Sequence, residues 1–181
     1  VTWSIGFRAP SHQELLDAYL DQLRDTVEIA GRYSDPKRGL VEVPAYIDPS
    51  LRRKLAAGIS SVLDSASTPQ ALGKFIGEYL TAAKSHVEFM PPTPHRSLSQ
   101  FSRLAAKRGL GLDLRSRMLF DDAHTYLNGR TMSFDSTPTA HQHSQLKTLA
   151  NSRCLNAPQL DPQIIRQLYP YWTSGELEIL E

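Results

Sequence analysis

The chain has a single cysteine, Cys154, in 181 residues. One thiol excludes an intramolecular disulfide framework and any zinc site built on closely spaced cysteine pairs. An excess of charge of one sign is also missing. Twenty Lys and Arg face 19 Asp and Glu, for a formal net charge of +1. That balance excludes a generally polycationic nucleic-acid binder while leaving room for a local basic patch. No apolar run approaches the length of a membrane span and no signal-peptide pattern opens the chain. A cytoplasmic protein with no membrane partner is therefore expected. Catalytic fingerprints are scarce as well. There is no Gly-x-Ser-x-Gly elbow and no P-loop, and Gly109-Leu110-Gly111 lacks the third glycine of a dinucleotide-binding turn. Cys154 follows Arg153 with no histidine nearby and reads as a buried or half-buried structural thiol.

What is present suits a folded protein of one domain or two small ones. Hydrophobic residues make up 40% of the chain, and 6 Phe, 7 Tyr and 2 Trp can offset the entropy of ordering it. Residues 1–8 alternate as a strand does, with Val1, Trp3, Ile5 and Phe7 on one face and Thr2, Ser4, Gly6 and Arg8 on the other. Ser11-His12-Gln13-Glu14 is a capping box, and the apolar residues from Leu15 to Val27 predict a helix reaching about Gly31. Asp48-Pro49 and Thr68-Pro69 start two more helices, each a cap followed by proline at the first helical position. Closely spaced prolines at Pro91, Pro92 and Pro94 mark a stiff linker.

Beyond the linker the pattern changes. A short helix over Leu98–Lys107 is followed by an apolar stretch, Leu110, Leu112, Leu114, Met118 and Phe120, that predicts a strand. Asp121–His124 forms a turn, and Asn128-Gly129 between Thr125–Leu127 and Thr131–Phe134 is a hairpin signal. Helices over 141–151 and 161–171 and a closing strand over Leu177–Leu180 complete the pattern. The expected fold is mostly α with small β, ending in a winged-helix-like domain.

Candidate chemistry is thin. Two His/carboxylate pairs, His12 with Glu14 and His86 with Glu88, have the spacing of a facial metal triad. Glu14 already caps a helix, however, and residues two apart on a helix do not share a face. His141-Gln142-His143 lacks a carboxylate and reads as surface. Within 96–117, Arg96, Arg103, Lys107, Arg108, Arg115 and Arg117 stand against Asp113 alone, a basic run that could meet phosphates. The helices that would read bases contain only Lys147, Arg153 and Arg166, so nucleic acid is disfavoured as a partner. The apolar stripe of the first helix exceeds what a thin three-helix core needs. Leu16, Tyr19, Leu20 and Leu23 are its candidate dimerisation residues.

Ser4-Ile5-Gly6-Phe7-Arg8-Ala9-Pro10, followed at once by a capped helix, resembles the bacterial cupin/JmjC-type ribosomal oxygenases, in which such a segment ends the catalytic double-stranded β-helix. Tyr33-Ser34-Asp35-Pro36 resembles a second signature of that family, and the proline linker and winged-helix-like tail stand in the family's order. The resemblance implies that residues 1–10 are the terminal barrel strand, 11–90 a helical dimerisation region, 91–97 the linker and 98–181 the winged-helix-like domain. It implies an Fe(II)- and 2-oxoglutarate-dependent hydroxylase that acts on an arginine β-carbon of a large-subunit ribosomal protein and forms a homodimer. The iron ligands, a His-x-Asp and a later His, precede this segment in the family. None is therefore expected here, and the chain by itself is expected to bind neither cofactor and to be inactive. Thr2 and Ser4 would face the 2-oxoglutarate pocket, where a hydroxyl can donate one hydrogen bond. Two other readings stay open: a winged-helix regulator of DNA, and a freestanding interaction module in which Trp3, Ile5 and Phe7 pack within the chain.

Overall fold

Side-chain caps set where each helix begins in the computed structural model, which describes residues 9–28, 43, 45–157 and 160–181. Helix α1 spans His12–Thr26, and the Ser11 capping box is formed in full. Helices α2 (Pro49–Ala66) and α3 (Pro69–Thr81) both start at the anticipated prolines. In α2, Asp48 accepts a hydrogen bond from the Ser50 amide. Helix α1 is shorter than its apolar periodicity predicts. Val27 continues the stripe but is extended, at φ −95° and ψ 119°, and its amide closes the helix on the Leu23 carbonyl. The strand expected over residues 1–8 and the Tyr33–Pro36 signature lie outside the described residues.

The chain divides into two compact units, Val1–Leu72 and Gly73–Glu181, so the division falls inside α3 and not at the prolines. In the first unit the Tyr19 hydroxyl donates to the Ala66 carbonyl, joining α1 to the end of α2. Of the α1 and α2 side chains only Ala66 is buried.

The second unit contains the core. Helix α4 (Leu98–Arg108) leads into β1 (Leu110–Leu112). A meander follows, of β2 (Met118–Phe120), β3 (Thr125–Leu127) and β4 (Arg130–Thr131). Then come α5 (Ala140–Ser152), β5 (Cys154–Leu155), α6 (Pro162–Thr173) and β6 (Leu177–Ile179). Strand β1 is central in an antiparallel sheet of order β5-β1-β6, with Leu110 opposite both Leu155 and Ile179. Strands β2, β3 and β4 form a second antiparallel sheet. Helices α4 and α6 pack through an aromatic cluster, with ring centroids of Phe101 and Trp172 4.9 Å apart and of Phe101 and Tyr169 5.4 Å apart. Leu110, Leu146, Leu149, Ile164 and Leu168 are fully enclosed around it.

Two strand expectations need correction. The stretch from Leu110 to Phe120 is two strands in different sheets, because Asp113 turns the chain between them. Its carboxylate accepts from the Arg115 amide and its carbonyl from the Ser116 amide, which leaves Leu114 at the apex 90% exposed. The outer arm of the hairpin is only Arg130–Thr131 and does not run to Phe134. Strand β5 has no counterpart among the predicted elements. It forms because Arg153 adopts a left-handed conformation at φ 61° and redirects the chain onto β1.

The second half of α3 is bound to the hairpin. Glu78 accepts from the Thr131 amide and hydroxyl, and the Thr81 hydroxyl accepts from the Gly129 amide. At Gly77 a β-carbon would lie 2.4 Å from the Tyr126 ring, so only glycine lets the helix come this close. The proline-rich segment is likewise packed on this unit. Arg115 donates to the Glu88 carbonyl and lies 5.7 Å from the Phe89 ring centroid, and the Tyr169 hydroxyl donates to the Arg96 carbonyl.

Gly77→Ala is expected to destabilise the chain by about 1–3 kcal/mol, the usual cost of overpacking a filled interior. Denaturant unfolding of the two proteins checks this, and an unchanged midpoint would contradict the packing described.

Candidate functional site

Chemistry-bearing side chains in the second unit gather at three places. The first is a buried carboxylate under the hairpin. Glu176 immediately precedes β6, and its side chain is 3% exposed. Arg130 reaches it at 2.6 and 2.7 Å, the Asn128 amide at 2.9 Å and the Ser174 hydroxyl at 2.7 Å. Asn128 also donates to the Ser116 hydroxyl, which in turn donates to the Glu176 carbonyl. Asn128 at φ 49° and Gly129 at φ 83° have the positive angles that a two-residue hairpin turn requires. Both carboxylate oxygens are bonded, so the group is a structural anchor with no free lone-pair geometry for a substrate.

The second place is a cleft of about 320 Å³ between the proline segment and β6. Trp172 and Leu177 line it together with Arg96, Arg108, Asp113 and Glu178. The hydrogen bond from the Arg115 side chain holds the Asp113 carboxyl below the usual carboxylate range. The third is the face made by the 113–117 turn, β2 and α5. Arg153 donates to the Asp113 and Ser116 carbonyls, and the Lys147 ammonium sits 5.3 Å from the Phe120 ring centroid.

The structure divides the basic run of the sequence. Arg96 and Arg108 line the cleft, Arg103 and Lys107 are exposed on α4, Arg115 is paired with Asp113, and Arg117 leads into β2. Lys147 and Arg153, distant in sequence, approach β2 and the 113–117 turn from α5 and its C-terminal end. Among the described residues no group of three or more His, Cys, Asp or Glu side chains could hold a metal ion. Glu14 serves its capping box, the His141 ring meets the Gln145 amide, and His86 and Glu88 are exposed. Cys154 is half-buried in β5, opposite Gly111. Thr2 and Ser4 lie outside the described residues.

Of the dimerisation candidates, Leu16 and Leu20 are each 49% exposed, whereas Tyr19 and Leu23 are half-buried. The structure adds a second stripe. Leu51, Leu55, Ile59 and Leu63 follow one another at four-residue spacing on α2, and all are exposed. That spacing is visible in the sequence, but periodicity alone does not separate a core face from an open one.

Helices α4, α5 and α6 around the β5-β1-β6 sheet make the second unit a winged-helix domain. The chain belongs to the ROXA-like winged helix family, whose sequence model matches residues 61–177. It is 26% identical over 188 aligned residues to ribosomal protein uL16 3-hydroxylase of Escherichia coli (strain K12), an alignment covering 97% of this chain and 46% of that protein. The E. coli ribosomal oxygenase YcfD has the same fold over 96% of this chain and 47% of its own, with a TM-score of 0.67 at 23% identity. Its complex with cobalt and 2-oxoglutarate superposes with a TM-score of 0.68 at 22% identity, over 96% of this chain and 47% of its own. The chain thus spans about half the length of the relative it matches, and the match is to the C-terminal half. No described helix is long and apolar enough to cross a membrane.

Three carboxylates give the fold a pH dependence. Arg115 lowers Asp113. Burial pushes Asp121 and Asp161 up, but hydrogen bonds outweigh it and leave both below the usual range. They come from Tyr126, His124 and Ala123 to Asp121, and from Gln142, Ile164 and Gln163 to Asp161. With folded pKa values below the unfolded value of about 4, the unfolded chain binds more protons as the medium is acidified. This part of the stability is complete above that value and is lost as pH falls through the folded values. The thermal midpoint is expected to stay level from about pH 7 to 5 and to fall below about pH 4. Asp161→Asn should flatten that fall when melts followed by circular dichroism are compared.

Proposed function

We propose that this chain serves as the C-terminal part of an Fe(II)- and 2-oxoglutarate-dependent ribosomal oxygenase of the cytoplasm, which hydroxylates an arginine β-carbon in a large-subunit ribosomal protein. The observation that carries this reading is the continuity of the likeness. It runs over 97% of the chain to a single ribosomal protein hydroxylase, and so includes the helices outside the winged-helix match. In this reading residues 1–10 complete a cupin/JmjC barrel, with Thr2 and Ser4 toward the 2-oxoglutarate pocket. Residues 11–90 dimerise, 91–97 link, and 98–181 form the winged-helix domain; this C-terminal part as a whole braces the barrel.

In this reading the chemistry of iron and 2-oxoglutarate belongs to residues outside this chain. What the chain contributes is support. The exposed stripes Leu16/Leu20 on α1 and Leu51/Leu55/Ile59/Leu63 on α2 supply apolar surface for a two-fold contact. The surface of α6 speaks against a DNA-reading role, since its exposed residues, Pro162, Gln163, Arg166 and Pro170, include one cation.

The enzyme carrying this chain, supplied with Fe(II), 2-oxoglutarate and oxygen, should add one oxygen atom to an arginine of a large-subunit ribosomal protein. The 181-residue chain alone should not turn over 2-oxoglutarate. Intact-protein and peptide mass spectrometry read both, and turnover by the chain alone would overturn the division of labour proposed. Light scattering of the chain should give the mass of a dimer, and Leu16→Glu with Leu20→Glu should give that of a monomer with unchanged helix content. A wild-type monomer would refute dimerisation through these helices.

A further inference from the structure

We propose that the cleft along the outer edge of β6 binds an extended acidic peptide segment as an added strand. Strand β6 is an outer strand of the β5-β1-β6 sheet. The Leu180 amide donates to the Gly109 carbonyl, the Asp113 amide donates to the Glu176 carbonyl, and Glu178 stands opposite Gly111 between them. Backbone groups alternate in direction along an antiparallel strand, so Leu177 and Ile179 turn their amides and carbonyls away from β1. No described residue hydrogen-bonds to the backbone of either on that side. Leu177 and Ile179 project to the face opposite that of Glu178, yet all three line the cleft of about 320 Å³. A cleft that meets both faces of a strand runs along its edge, where those unpaired groups point. Its other wall is Pro92, Thr93 and Pro94. Two of these three residues have no amide, so the chain's own segment cannot supply a full ladder to the edge. Leu177 is buried and Ile179 half-buried, which makes Ile179 the position that a guest strand reaches.

Charge decides the occupant. Arg96 and Arg108 both line the cleft, and among the described residues neither guanidinium meets a carboxylate. The two acidic side chains of the lining are directed elsewhere. Both Asp113 oxygens are held by Arg115. The Glu178 carboxylate lies back over β1, 3.5 Å from where a β-carbon of Gly111 would stand. Two uncommitted guanidinium groups beside an open strand edge match a strand that carries carboxylates, whereas a basic strand would add like charge. Main-chain bonds give such a guest its hold and side chains give it selection, as in strand addition at open sheet edges generally. Leu104 and Trp172, also in the lining, supply apolar surface for the residues that alternate with the carboxylates.

The test uses the full chain and a labelled eight-residue peptide of alternating valine and glutamate, followed by fluorescence anisotropy at low salt. This peptide should bind, and its counterpart with lysine in place of glutamate should not. N-methylation of the peptide amides keeps the charge, removes the ladder donors and should weaken binding about tenfold or more. Arg96→Gln/Arg108→Gln should also lose about tenfold or more in affinity, the share of two charge-assisted hydrogen bonds. Arg103→Gln/Lys107→Gln on α4 should bind as wild type does, and a circular-dichroism melt confirms that each variant is folded. In hydrogen exchange followed by NMR, the Ile179 amide should be slowed by the peptide. No binding, equal binding of the lysine or N-methylated peptide, an unprotected Ile179 amide, or equal loss in the two variants would overturn the proposal. So would displacement by citrate at the peptide's own concentration, which would assign the cleft to a small anion.

Discussion

The C-terminal domain depends on one buried negative charge. An isolated carboxylate in a protein interior is strongly unfavourable, and removing one partner of a buried pair costs about 3–5 kcal/mol. Glu176 is tolerated because Arg130, Asn128 and Ser174 all donate to it. Those donors come from the hairpin and from the end of α6, so satisfying the charge fixes their relative placement. Asn128 reaches it from a left-handed conformation, which is also the one that turns the hairpin. The turned hairpin then presents the Gly129 amide and Thr131 to Thr81 and Glu78 of α3. One electrostatic requirement thus propagates from the start of β6 through the hairpin to the preceding helix.

The same dependency explains which parts of the fold were readable in the sequence. Caps and tight turns announce themselves because one or two residues carry the physics. Ser11, Asp48 and Asn128-Gly129 all act as their chemistry requires. Features governed by distant partners were not readable. Leu110, Leu112 and Leu114 alternate as a strand should, yet Asp113 ends β1 by turning the chain and leaves Leu114 in solvent. Strand β5 has two residues, too few for any period, and exists because β1 offers a free edge. The proline-rich stretch reads as a spacer, but the Tyr169 hydroxyl binds the Arg96 carbonyl within it and Arg115 binds the Glu88 carbonyl just before it.

The candidate functional surfaces divide along the same line. The apolar stripes of α1 and α2 were legible as stripes, since period is a local property. Whether such a stripe faces a core depends on what the rest of the chain brings against it. Here Tyr19 bonds to α2, whereas Leu16, Leu20 and four aliphatic residues of α2 stay open. The basic run at 96–117 shows the converse. Counting charges along the sequence made it a single patch, while folding spends Arg115 on Asp113 and spreads the others over a cleft and two faces. Net charge over a window predicts a surface only when the window folds as one surface.

That redistribution bears on what a winged helix can be used for. The third helix of this domain turns Ile164, Ile165, Gln167, Leu168 and Trp172 inward. The outward remainder is two prolines, a glutamine and one arginine. Such a surface has neither the cation density to hold a duplex nor the paired donors that distinguish bases. Away from that helix, Arg153 is supported by the backbone carbonyls of the turn before β2, and Lys147 of α5 by the Phe120 ring. Groups held in that way recognise charge and spacing more readily than sequence. A winged helix of this construction is therefore poorly equipped to read a genetic operator.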